Sequence, residues 1–83
     1  MKIIIDGIAF SGSPTDIVDT LRELLFEETE PPDIEGYISH IQNAYLQVFG
    51  REMILPQATL DGRIRAMCAM LEEAGLMEVV EYA

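Results

Sequence analysis

Eighty-three residues, 49% of them apolar, can fill one hydrophobic core but not two, and are too apolar to remain disordered. Fifteen acidic residues against five basic ones leave a net charge of −10, which disfavours close approach to phosphate or anionic lipid and favours a basic partner. A single cysteine, Cys68, excludes an intramolecular disulfide framework and any zinc site built from several thiolates.

The stretch KIIIDGIAF opens the chain with two β-prone runs around Asp6-Gly7. Asp-Gly suits a two-residue type I′ turn, whose central residues both need positive φ. Such a turn pairs Ile5 with Ile8, Ile4 with Ala9 and Ile3 with Phe10, and puts Ile3, Ile5, Ile8 and Phe10 on one face, read as the core face. The apolar run Ile3–Ile5 is too short for a signal peptide or a membrane span, and no later stretch qualifies. The expectation is a cytoplasmic protein without membrane contact.

SGSPTDIVDTLRELLF carries helix-start chemistry: Ser13 as N-cap, Pro14 at the first helical position and Asp16 where a capping-box acid sits. Ile17, Leu21, Leu24 and Leu25, with Val18 beside them, form an apolar stripe, which predicts a helix over 14–26. Two prolines in EETEPPD then interrupt the pattern. Asp33 can cap a second helix over 34–49, where Ile34, Tyr37, Ile38, Ile41, Ala44, Tyr45, Val48 and Phe49 make a broad stripe before Gly50 as the left-handed terminator. A stripe that wide predicts a central helix.

REMILP reads as a short extended segment stopped by Pro56. Thr59 or Asp61 starts a third helix, whose face is Leu60, Ile64, Met67, Leu71 and Ala74, with Asp61 placed to pair with Arg65. Gly75 ends that helix, and Leu76 can close a Schellman motif on Leu71. Val79 and Val80 then mark a final strand, able to supply the third strand that a lone hairpin lacks. The fold class expected is α+β: an N-terminal hairpin, three helices and a C-terminal strand in a small antiparallel sheet packed on the helices, all in a single domain over 1–83.

Few residues offer chemistry. Glu27, Glu28, Glu30, Asp33 and Glu35 gather five acids in nine positions. EF-hand spacing is absent and two prolines stand in the middle, so no metal is expected. The functional reading of these five residues is docking on a basic partner surface. His40, the only histidine, has no ligand partner at helical spacing, and Ser39 beside it does not share its face. Cys68 lies at the edge of the third helix's apolar stripe, among apolar and acidic neighbours that do not activate a thiolate. No glycine pattern cradles phosphate. Neither catalysis nor a cofactor is expected.

MLEEAGLMEVVEYA also resembles the passage from last helix to wing in winged-helix DNA-binding domains. That resemblance implies a reading helix at 60–74, with Arg63 and Arg65 as its readers. Helix-ending chemistry accounts for EAGL by itself, and residues 66–83 hold four acids and no base, whereas a DNA-facing surface is basic. The function expected is therefore non-catalytic protein–protein interaction, with a second copy or a basic protein surface as partner. A winged-helix-like nucleic-acid reader is the alternative. The five methionines are assigned to core packing.

Overall fold

A computed structural model describes residues 1–25 and 33–82, the side chain of Leu25 excepted. The order of elements is β1 (Lys2–Ile5), β2 (Ile8–Ser11), α1 (Pro14–Leu25), α2 (Ile34–Phe49), α3 (Leu60–Glu73) and β3 (Glu78–Glu81). The three strands form one antiparallel sheet in the order β2-β1-β3, so the first and last strands of the chain are neighbours.

The β1–β2 turn follows from its two residues. Asp6 has φ 50° and Gly7 φ 79°, the positive values that a type I′ turn requires. The pairing is Ile5 with Ile8, Ile4 with Ala9, Ile3 with Phe10 and Lys2 with Ser11. One further pair extends the ladder: the Gly12 amide donates to Met1 O at 3.1 Å, and the Met1 nitrogen donates to Gly12 O at 2.9 Å. On the other side of β1, Ile3 lies opposite Val79 but Lys2 opposite Glu81, so Val80 is the extra residue of a β-bulge. Val79 packs on the core while its neighbour Val80 is half exposed.

Each helix begins on a side-chain cap. Ser13 Oγ accepts from the Asp16 amide at 3.1 Å and Asp16 Oδ2 accepts from the Ser13 amide at 3.2 Å, a reciprocal capping box. Asp33 Oδ1 accepts from the Gly36 amide at 2.7 Å, and Thr59 Oγ1 from the Gly62 amide at 3.1 Å. These bonds satisfy helix-start amides that have no partner within the helix. Gly50, at φ 70°, closes α2. At the end of α3 the Leu76 amide donates to Leu71 O at 2.9 Å and the Gly75 amide to Glu72 O at 3.0 Å, the two bonds of a Schellman motif.

The core lies between the sheet and the helices. Ile3, Ile17, Val18, Ile64, Met67 and Cys68 are the largest fully buried chains, and no buried residue among those described is polar or charged. Met1, Met53 and Met67 are buried and Met70 and Met77 pack against the core, so the methionines serve packing. Cys68 sits inside the core, not at its edge.

Several expectations are corrected. Ile8 is 60% exposed, because the hairpin tip reaches past the helices, and Leu24 is 55% exposed near the end of α1. α1, not α2, is the central helix: its backbone runs beside both other helices and β2. The segment 51–58, read as extended through Pro56, joins no sheet among the described residues. It is held by Met53 in the core and by Gln42 Nε2, which donates to Met53 O at 3.1 Å. Asp61 does not pair with Arg65. It accepts from Thr15 Oγ1 at 2.5 Å, a bond that joins the first turns of α1 and α3.

Gly75 tests the terminus of α3. Its φ is 79° and a Cβ there would meet nothing within 4 Å, so backbone conformation alone sets the penalty for a side chain. Gly75→Val should lower stability by about 1–2 kcal/mol, read as a lower thermal midpoint at equal concentration. Coincident melts would show that the left-handed cap does not hold α3.

Candidate interaction surface

The buried face of α2 outruns the core. Tyr37, Ile38 and Tyr45 on that face are buried, and Ile34 and Ile41 pack against the core. Ala44, Val48 and Phe49 continue the same face through the last turns, where Val48 is 72% exposed and Phe49 36%. A helix of sixteen residues is roughly 24 Å long at 1.5 Å per residue, and the described residues leave its final turn largely uncovered.

Opposite this uncovered turn stands the end of α3. Ile41, Ala44, Tyr45, Val48, Phe49, Leu71 and Leu76 line a groove of about 110 Å³. Leu76 forms one lip because the Schellman turn at Gly75 directs the chain back over Leu71. The Tyr45 and Phe49 rings stack 4.7 Å apart at 46°, and the Arg51 guanidinium lies 5.8 Å from the Tyr45 ring centre. Arg51 thus makes a cation–π contact with one of the groove's two aromatic rings. The groove offers shape and apolar surface, with no charged side chain in its lining and the Tyr45 phenol as its one ionisable group.

The other flank of α2 is polar. Two open depressions, about 590 and 420 Å³, lie beneath the 51–58 segment, and Gln42 and Leu55 line both. Leu46 and Ile54, both exposed, border the second. The first contains Glu35 and Arg63, whose guanidinium bonds both carboxylate oxygens, Nη1 to Oε2 at 2.8 Å and Nη2 to Oε1. The bonds from Arg63 hold the Glu35 carboxyl below its ordinary pKa, so Glu35 stays ionised and does not serve as a proton donor near neutrality.

The expected site residues are thereby separated. Asp33 caps α2 and Glu35 is bound to Arg63. Glu27, Glu28 and Glu30 lie outside the described residues. His40 is exposed, and no group of three or more His, Cys, Asp or Glu among the described residues could hold a metal ion. Of the two bases on α3, Arg63 is engaged by α2, while Arg65 is half-buried and its Nε is buried without a hydrogen-bond partner. The groove itself was visible in sequence only as surplus, a stripe on α2 wider than a small core can cover. Leu71 and Leu76 join it through chain reversal, which helical spacing does not show.

No protein-family model, curated protein or solved structure matches the chain.

Cys68 and Tyr37 are the strongly shifted groups. Burial pushes the Cys68 thiol from 9.0 up to about 11. Tyr37 rises from 10.0 to about 12, through burial first and then the neighbouring Cys68. In both, the folded state favours the neutral form. Their stabilising effect is complete below the unfolded pKa and is lost as pH rises through the folded one. The difference for Cys68 corresponds to about 2–3 kcal/mol. Denaturant melts should therefore show stability falling between pH 9 and 11, and Cys68→Ala should remove most of that fall. Equal pH dependence in both proteins would place the thiol in a far less apolar setting.

Proposed function

We propose that this chain is a non-catalytic protein-interaction domain that receives apolar side chains of a basic partner in the groove between α2 and α3. The carrying observation is the exposed last turn of the apolar face of α2, with Val48 72% exposed and Leu76 53% exposed beside it. Exposed apolar surface grouped around a concavity is characteristic of binding sites, whereas scattered exposed apolar residues are ordinary.

Charge supports a basic partner. Fifteen acids surround five bases, and two of those bases, Arg22 and Arg63, already bridge Asp19 and Glu35. The resulting field speeds the approach of a cation-rich segment, and the neutral groove then discriminates by shape. A groove lining with no charged side chain, whose one ionisable group is the Tyr45 phenol, favours binding over catalysis.

A synthetic amphipathic helix with a leucine face and a lysine face is a direct probe. It should bind saturably, more weakly as salt is raised, with amide shifts concentrated at residues 41–49, 71 and 76. Its glutamate-faced counterpart should not bind. Val48→Asp should weaken the lysine helix by tenfold or more, and the mostly exposed position of Val48 leaves the fold intact. Shifts confined to the sheet, or equal binding by both helices, would overturn the proposal.

Nucleic acid is the contrasting partner. A reader built on α3 would need Arg63, which Glu35 holds at both terminal guanidinium nitrogens, and would bring Asp61, Glu72 and Glu73 toward phosphate. Titration of labelled genomic fragments near physiological salt should give no saturable rise in anisotropy. Salt-sensitive saturation that vanishes in the Arg63→Ala, Arg65→Ala double variant would establish the DNA-reading alternative.

A further inference from the structure

The two edges of the sheet are finished differently. On β3 the outward-facing Val79 amide donates to Glu72 Oε2 at 2.8 Å, so a side chain from α3 covers that edge. On β2 the alternation of an antiparallel ladder decides which groups face out. Gly12 and Met1 exchange two hydrogen bonds, so Phe10 with Ile3 and Ile8 with Ile5 are also hydrogen-bonded pairs. The amides and carbonyls of Ala9 and Ser11 therefore point away from β1. No described residue bonds them, and Ile8, Ala9, Ser11 and Gly12 are all exposed.

Charge is missing from this edge as well. Residues 7–14, Gly-Ile-Ala-Phe-Ser-Gly-Ser-Pro, carry none, in a chain where charged residues are 24% of the total. Edge strands are ordinarily blunted by charged side chains, a bulge or a covering group. β3 has a bulge, two glutamates and the Glu72 cover; β2 has none of these.

We propose that β2 is a self-association edge, on which a second copy of this chain adds its own β2 antiparallel to make a continuous six-stranded sheet. The register is self-complementary. Centring the two-fold axis on Phe10 sets Ala9 opposite Ser11 of the second copy and Ser11 opposite its Ala9, giving four hydrogen bonds from the groups now unpaired. The two Phe10 residues then meet as a non-hydrogen-bonded pair, where side chains approach most closely. Local neutrality selects a second copy. Asp6 and Asp16, which flank the edge at its two ends, are the acids that two copies would bring together, and added salt screens that repulsion. A short edge makes a reversible dimer, distinct from and independent of binding in the α2–α3 groove.

The test is residue-resolved amide exchange together with sedimentation, at low and high protein concentration. In dilute protein the Ala9 and Ser11 amides should exchange rapidly. At high concentration they should slow at least tenfold as the dimer forms, and added salt should strengthen the dimer, opposite to its effect on the lysine helix. Ala9→Pro removes an outward donor that β1 does not use, and Ala9→Glu keeps the donor but brings two like charges together across the two-fold axis. Both should remain folded by circular dichroism and monomeric. A protein that stays monomeric at high concentration and raised salt would overturn the proposal. A dimer abolished by Val48→Asp and untouched by either Ala9 variant would also overturn it, and would assign self-association to the groove.

Discussion

The burial of Ile3 is the constraint from which the architecture follows. Ile3 stands in the middle strand with no exposed surface, paired to Phe10 on one side and Val79 on the other, and shares the core with Ile17, Val18, Ile64, Met67 and Cys68. A fully buried aliphatic chain contributes about 1.5–3 kcal/mol, a large fraction of what a domain this small can hold in reserve. Burying both flanks of β1 requires the last residues of the chain to return to the first. The three helices must therefore span the distance between strands adjacent in space and distant in sequence.

That closure determines where apolar surface is left over. α1 follows the hairpin directly and takes the central place, its first turn joined to that of α3 by Thr15 and Asp61. α2 begins at its Asp33 cap, is tied to α3 near its start by Glu35 and Arg63, and then runs on beyond the layer that its neighbours cover. Its final apolar turn and the reversed chain at Leu76 meet across a groove with no charged side chain in its lining. One geometric excess, a helix longer than the core it serves, links stability to the proposed function.

Electrostatics act on a different scale. The formal charge of −10 makes the molecule as a whole attractive to cations, yet the places where binding is proposed are neutral. A long-range field brings a partner near and can repel a second copy, while contact is made by apolar side chains or backbone groups. Opposite responses to salt at the groove and at the β2 edge follow from that separation.

Local chemistry was legible in the sequence wherever a single residue or a short spacing decided the outcome. Asp6-Gly7 determined the turn and thereby the hairpin register; Ser13 with Asp16, Asp33 and Gly75 determined where helices start or stop; Val79 marked the returning strand. These features depend on backbone conformation and on bonds spanning a few residues. The tertiary structure alone decided what each face meets. Periodicity gave α2 one continuous stripe and could not show that its last turn stays largely exposed among the described residues. Helical spacing offered Asp61 a partner in Arg65, but packing brought Thr15 nearer, and Arg63 found Glu35 across 28 positions of sequence. Strand pattern could not show which sheet edge would be covered, because that depends on Glu72 of α3 reaching Val79 once the helix has docked. The sequence by itself determined the elements and their ends, through local hydrogen bonding and allowed φ. Only the folded chain decided which surfaces remain open, because that depends on the lengths and positions of elements distant in sequence.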